Sequence, residues 1–506
     1  MNSTKCLAII RDVFKTKDEE DFKMDFFKIK ERGSSVRTEI FAGLTTFFAM
    51  CYIVVVNPNQ VAAGGATGWL VELGADAAVM GQIWNAVYIA SILVACIGTL
   101  LMALYAKLPF AQACGMGLNA FFCTTFVSGA YFAGVDAIEG YQSGLVIIFL
   151  SGIVFLILSV TGLRKYIATA MPECLKKAIP AGIGLFIAFI GFQNVGIINA
   201  NQYTLTQLFD FHGAIVNAES GFQAWLTMAP VILTVLGLII IAVLESKHVK
   251  GSVIITILVV TVLYYATTLT VPSFDLGNIG QSFKDFGAIG VTGIFNGTAW
   301  ANAFGGAHID GVFGAVVLII TFCLVDMFDT VGTLYGTAAQ ADMLDENGDP
   351  IDVDKAMMCD SVGTVAGAVL GTSTCTTFVE SAAGVGAGGR TGLTSVVTAA
   401  CFFACLFLSP IATIIPSCAT APALIYVGVL MMKGFGKINM DDVTSAVPAF
   451  LTVIIMCLSY SISNGIGVGA ITYVLVQLLA KKYSKKDIVV TVIALLFVAR
   501  FALITM

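Results

Sequence analysis

The sequence predicts an all-α polytopic membrane protein with 14 transmembrane segments, arranged as two inverted halves of seven. Three observations carry that prediction. First, 58% of the 506 residues are hydrophobic and only 11% are Asp, Glu, Lys or Arg, against about 25% charged in soluble domains. A soluble chain of this length would divide into about three domains, each needing a hydrated surface. Here the charges gather in a few clusters and leave long runs with none. Second, apolar stretches near the about 20 residues that a spanning helix needs recur along the chain. Third, Lys and Arg fall almost entirely in alternate connections, the pattern of the positive-inside rule. A soluble multidomain protein and a disordered chain are excluded. A net charge of -6 with no basic domain excludes a nucleic-acid binder as well.

Full-length candidates lie at 40–60, 83–105, 143–163, 178–200, 225–245, 252–271, 313–335, 355–371, 392–415, 419–433, 444–462 and 464–480. Segments 109–127 and 373–388 are apolar but interrupted, and the stretch 488–506 either spans or lies at the interface. Nine Lys and Arg residues precede the first segment. Further groups (Lys107; Arg164 to Lys177; Lys247 and Lys250) follow segments two, four and six. The loops 57–82, 128–142 and 200–224 hold none. Lys355, Arg390, Lys433 with Lys437, and Lys481 to Lys486 continue the alternation, and Lys284 is the exception. The N-terminus is therefore expected in the cytoplasm, and no cleavable signal is visible in 1–37.

Seven segments precede the Gly- and Asn-rich connector 272–312, so the second half would insert upside down relative to the first. That is a recognised transporter plan. The expected units are a cytoplasmic segment 1–37, a first repeat 38–271, an extracellular connector 272–312, a second repeat 313–480, and a tail 481–506.

The two interrupted segments occupy the third place of each half. LPFAQACGMGLNAFFCTTFV contains Pro109, which cannot donate a hydrogen bond, with Gly115 and Gly117 loosening the backbone beside the candidate site. In GTSTCTTFVESAAGVGAGG, the run Thr372 to Val379 has an extended-type composition, and Ser381 to Gly388 reads as a short helix. Each therefore reads as a short β-strand plus a half-helix. Irregular backbone at membrane depth survives only where it is buried in protein or lines a cavity, and matched interruptions in two halves point to a transporter's binding site.

Polar residues at the same depth sharpen this reading. Asn119 is expected to open the first half-helix and Glu380 the second, while FCLVDMFDTVGTLYG places Asp326 and Asp329 on one helix face. A carboxylate at the bilayer centre costs on the order of 2.5–3.5 kcal/mol, and no Lys or Arg in a central segment offsets it. Carboxylates accept hydrogen bonds, suit a ligand with N–H donors and repel anions. Half-helix starts offer N–H groups, and Phe378 offers an aromatic face. A small, flat, neutral heterocycle satisfies all three. Asp326 and Asp329, three residues apart with no cation nearby, cannot both ionise easily, which gives a handle for proton coupling, with Glu380 as a further candidate for that role. Sodium coupling remains open at this point. His212, His248 and His308 lie outside the segment centres, so no histidine relay is assigned.

At these motifs the chain resembles a known family. RTEIFAGLTTFFAMCYIVVVNP, QACGMGLNAFF, DMFDTVGTLYG and TCTTFVESAAGVGAGGRTGLTS resemble the adenine/guanine/hypoxanthine permeases, the AzgA-like branch of the nucleobase–cation symporters, over about residues 26–480. The resemblance implies a core domain (segments 1–4 and 8–11) and a gate domain (5–7 and 12–14). Substrate would lie between them at two antiparallel strands from the third and tenth segments. It implies proton-coupled uptake of adenine, guanine or hypoxanthine at the plasma membrane, with the core moving like an elevator against the gate. Substrate contacts carry over to Asn119, Asp326 and Glu380, with Asp329 in support and Phe378 as a stacking aromatic. A homodimer through the gate domain is also implied.

Other signals are weaker. Gly363, Gly367 and Gly371 form a GxxxGxxxG run, a close-packing pattern. The acidic loop 342–354 has Pro350 where a calcium loop needs Gly, so it reads as a solvated turn. The 13 cysteines, mostly in apolar runs and without a CxxC pair, read as packing residues. Neither a metal nor a cofactor is expected, and nothing resembles a phosphate-binding loop. A same-fold carrier of uracil, xanthine or an anion is the competing transporter reading. An intramembrane enzyme would need a nucleophile–base pair, and Ser381 beside Glu380 points about 100° away on a helix. A channel would not need buried carboxylates at a closed midplane.

Overall fold

The computed structural model describes residues 26–503 apart from 68, 73, 129–134, 163–170, 202–203, 250, 272–276, 306–310, 341–342, 344–350, 413 and 460. Most of the expected N-terminal segment, most of the acidic loop, His308, Arg164 and Lys165 thus lie outside the described residues.

The chain is a mostly helical multi-pass membrane protein. Among the described residues, eight helices are long and apolar enough to cross a membrane: Val36–Val61, Ala77–Ala106, Ala137–Val160, Glu173–Asn194, Gly221–Ser246, Gly392–Ala412, Ser417–Lys437 and Ile462–Leu479. Shorter apolar helices are Met116–Val127, Ser252–Thr268, Gly311–Met327 and Val443–Leu458. Short polar residues start many of them by capping orphan N–H groups. Asp76 accepts from Ala78 N, Asp136 from Glu139 N, Ser220 from Gln223 N and Ser461 from Asn464 N. The tail forms a helix, Ile488–Leu503, whose Arg500 donates to Ser463 Oγ and Asn464 Oδ1.

Among the described residues four strands interrupt the helices: β1 (Gln112–Cys114), β2 (Ile198–Asn201), β3 (Leu205–Leu208) and β4 (Cys375–Thr377). The β2–β3 hairpin corrects the expected helix 178–200, which ends at Asn194. Gly196 takes φ +73°, and Asn199 Nδ2 donates to its carbonyl, so the chain turns there instead of continuing. A short apolar run does not by itself distinguish the end of a helix from a strand.

The first long helix is broken near its middle, into Val36–Met50 and Ile53–Val61. Its first part carries Glu39, fully buried. Glu39 accepts from Arg390 N (3.0 Å), Thr391 N (3.2 Å), Thr394 N (3.3 Å) and Thr394 Oγ1 (2.6 Å), at the start of helix Gly392–Ala404. Negative charge at a helix N-terminus is favourable, so this buried carboxylate fastens the two helices without a cation. Helix Val353–Leu370 ends at Gly371 with φ +96°, where a Cβ would lie 2.6 Å from Gly290 Cα. The glycine run thus serves close packing.

Candidate functional site

The site is built on β1 and β4, which come from the two interrupted segments and pair antiparallel with Gln112 opposite Thr377, Ala113 opposite Thr376 and Cys114 opposite Cys375. All six residues are buried. Two further bonds extend the pairing, Gly115 N to Thr374 O and Phe378 N to Ala111 O. Ser381 Oγ accepts from Ala111 N (3.0 Å), which spends that hydroxyl on the backbone.

A two-stranded ribbon still has two open edges, and buried backbone groups must be satisfied. Two threonines close them. Thr99, on helix Ala77–Leu101, donates to Gln112 O (3.1 Å) and accepts from Gln112 N (3.0 Å). Thr364, on helix Val353–Leu370, accepts from Cys375 N (3.1 Å) and lies 3.2 Å from Cys375 O. Each follows a glycine, Gly98 and Gly363, and a Cβ on either glycine would press on Cys375 Sγ at 3.0 Å. A Gly-Thr pair therefore seals each strand from the helix that precedes it, one in each half of the chain.

Each strand leads into a short helix. Met116–Phe122 follows β1, with Gly115 as its N-cap, and Ser381–Gly386 follows β4, with Glu380 as its N-cap. Asn119 lies within the first of these rather than opening it, and its N–H closes the first helical bond to Gly115 O. Its Oδ1 accepts from Ser373 Oγ (2.5 Å), while its Nδ2 finds no partner among the described residues. Gly115 is needed for space, since a Cβ there would sit 3.2 Å from Thr376 Cγ2. At Gly117 a Cβ would collide with Ile183 Cγ2 of helix Glu173–Asn194, so this glycine lets the half-helix approach its neighbour.

Glu380 is half-buried and makes no capping bond. Its Oε1 instead accepts from Tyr52 Oη at 2.5 Å. Tyr52 is buried at the break in the first long helix. Asp326 is 1% exposed. Its Oδ2 accepts from Thr364 Oγ1 (2.7 Å), the hydroxyl that also seals β4, and its Oδ1 is unpartnered among the described residues. One turn on, Thr330 meets Thr376 of β4 (3.2 Å). Asp329 is partly exposed and lies close enough to Glu380 for the two carboxyls to interact electrostatically. Phe378 is 4% exposed, directly after β4. The structure thus brings Asn119, Asp326, Phe378, Glu380, Gly115 and Gly117 to the strand pair, with Asp329 beside Glu380.

Sequence reasoning missed Asp360, Gln112 and Tyr52. Asp360 is fully buried on helix Val353–Leu370 and accepts from Gln112 Nε2, from Thr377 Oγ1 (2.9 Å) and from Thr377 N (3.4 Å). It binds the two strands together from one end. A signal was present: an Asp at apolar depth meets the same insertion cost as Asp326. Asp360 also acts electrostatically on Asp326. Among the described residues no group of three or more His, Cys, Asp or Glu is arranged to hold a metal ion.

A multi-pass helical protein with two broken segments meeting at a buried, acid-lined strand pair is a membrane transporter, and the comparisons agree. Residues 37–468 match the Permease family, and the chain belongs to it. The chain is 40% identical to the guanine/hypoxanthine permease PbuG of Bacillus subtilis, over 88% of this chain and 92% of that permease. It is 39% identical to the guanine/hypoxanthine permease PbuO of the same organism (93% and 98% covered), and 34% identical to the adenine permease AdeP of Escherichia coli (94% and 95% covered). Among solved structures, the fold is similar to the transmembrane domain of a cyanobacterial bicarbonate transporter, BicA (TM-score 0.53, 15% identity, covering 85% of this chain and 97% of that one). It is also similar to the murine anion transporter Slc26a9 in its inward-facing state (TM-score 0.54, 11% identity, 94% and 75% covered).

Proposed function

We propose that this chain imports purine nucleobases (hypoxanthine, guanine or adenine) by proton symport. The observation that carries the reading is the donor and acceptor set at the strand pair: Asp326 Oδ1 and Asn119 Nδ2 are buried and unpartnered among the described residues, and Glu380 starts the half-helix that follows β4. A purine presents N–H donors and ring acceptors on one flat edge, and Phe378 lies next to the strands for its face. The names of the relatives supply the same substrates. The carboxylates disfavour an anion, so the similarity to anion carriers bears on fold alone.

Several finer features belong to the same reading. The fourteen segments form two inverted halves, a relation supported by the paired Gly98-Thr99 and Gly363-Thr364 seals. Segments 1–4 and 8–11 form a core that moves against a gate of segments 5–7 and 12–14. Substrate and protons share Asp326, Asp329 and Glu380. The protein lies in the plasma membrane with its N-terminus in the cytoplasm, and pairs with a second copy through the gate.

Uptake of labelled hypoxanthine, guanine and adenine by cells lacking their own purine permeases tests this, with uracil and xanthine as competitors. Saturable purine uptake that neither competitor blocks, and that a protonophore abolishes at constant external sodium, is expected. Glu380→Gln and Asp326→Asn should each abolish or strongly reduce it while the protein remains in the membrane. Wild-type uptake in both variants would remove the site assignment, and uptake lost only on sodium withdrawal would replace the proton.

A further inference from the structure

A polar cavity lies away from the strand pair. It has a volume of about 290 Å³ and is lined by the ends of four helices and by the β2–β3 hairpin. Gln60 enters it from helix Ile53–Val61, Gln193 from Glu173–Asn194, Thr227 from Gly221–Ser246 and Thr420 from Ser417–Met431, and Phe209 follows β3. These ends all lie opposite the Lys-bearing ends of the same bundle, where Lys176, Lys247 and Lys433 sit. Along the helix axis, Gln60 is eight residues beyond Tyr52, about 12 Å from the Glu380 contact.

The lining has one outstanding feature. Gln60 is 4% exposed, and both its Nε2 and its Oε1 are without partners among the described residues. Gln193 Oε1 is likewise unpartnered. Several neighbouring polar groups are engaged: Asn59 Oδ1 accepts from Trp84 Nε1, Asn199 Nδ2 donates to Gly196 O, Thr227 donates to Gln223 O and Thr420 to Ser417 O. Leaving buried amide groups unmet is costly, and a cavity-bound ligand removes that cost. A planar amide presents one donor and one acceptor side by side, the pattern by which Gln pairs with the edge of a nucleobase. Phe209 adds an aromatic ring to the lining. The volume is at the lower end for ligand pockets and suits a molecule of one or two rings.

We propose that this cavity is a second binding site for the same flat heterocycle, on the external side, held by the Gln60 amide and occupied before the base reaches Glu380. The proposal rests on the purine-transport reading. Removing a two-point amide contact with a base should weaken binding here about ten-fold, or about 1.4 kcal/mol.

The experiment measures equilibrium binding of labelled hypoxanthine, guanine and adenine to purified protein in lipid nanodiscs. Glu380→Gln, which disables the inner site, should retain one weaker binding site. Adding Gln60→Leu should weaken that residual binding about ten-fold, and adding Gln60→Asn should restore part of it. Independently, with Gln60 intact, a Thr227→Cys thiol in the Glu380→Gln background should react more slowly with a maleimide when base is present. Binding by wild type but none by Glu380→Gln would overturn the second site alone. Residual binding unaffected by Gln60→Leu, with an unprotected thiol, would do the same. A wild-type protein that binds none of the three bases would instead overturn the purine reading on which the site depends.

Discussion

Tyr52→Phe removes a single oxygen and keeps the ring that fills the break between Val36–Met50 and Ile53–Val61. The lost atom is the donor to Glu380 Oε1 at 2.5 Å, in a buried position. A hydrogen bond to a charged acceptor contributes about 1.5–3 kcal/mol, and one between neutral groups about 1 kcal/mol. The neutral figure sets a floor of about five-fold, and an ionised Glu380 raises the effect to about 10- to 150-fold. The loss should appear in transport rather than in folding, because the ring still packs and the freed carboxylate is half-exposed. Initial rates of purine uptake over a range of concentrations, normalised to protein in the membrane, measure it. The expected result is a raised KM, a lowered maximal rate, or both, at unchanged protein level. A variant within two-fold of wild type in both parameters would show that Tyr52 does not orient Glu380 for transport, and the reasoning would fail.

Asp360→Asn places an amide N–H₂ against a set of donors, Gln112 Nε2 and Thr377 Oγ1 and N. One unmet buried group costs about 1–3 kcal/mol, so thermal stability in detergent should drop and uptake should fall at least several-fold; unchanged values of both would remove Asp360 from the strand clamp. Asp442 caps helix Val443–Leu458 in a loop outside the apolar segments. The hydroxyls of Thr444 and Ser445, and then Lys482, hold its carboxyl down to about 2. A depressed carboxyl contributes its stability above the unfolded value near 4 and loses it as pH falls toward 2. Asp442→Asn should therefore leave the uptake–pH profile between about pH 5 and 8 unmoved, and a shifted profile would place Asp442 in the coupling path.

The legible part of the fold was the part set by solvent. A run of about twenty apolar residues satisfies its backbone in lipid by forming a helix, and the eight long apolar helices among the described residues overlap eight of the predicted segments. The interrupted segments were legible for a related reason, since Pro109 and the Thr-rich run at 372–377 break that rule in plain sight. The hairpin of Ile198–Asn201 with Leu205–Leu208 was not, because its first strand continues an apolar run and only pairing distinguishes strand from helix there.

Of the site, the sequence by itself determined that Asp326, Asp329, Glu380 and Asn119 are too polar for the depth at which they lie. Their cost is local and can be read one residue at a time. Which partner each takes was decided by tertiary structure. Glu380 meets Tyr52, which lies 328 positions away in the chain, and Thr364 shares its hydroxyl between Asp326 and Cys375. Asp360 joins Gln112 to Thr377 across the strand pair. No periodicity carries such pairings, because hydrogen bonds depend on positions to within a few tenths of an ångström, and only the packed helices fix those positions.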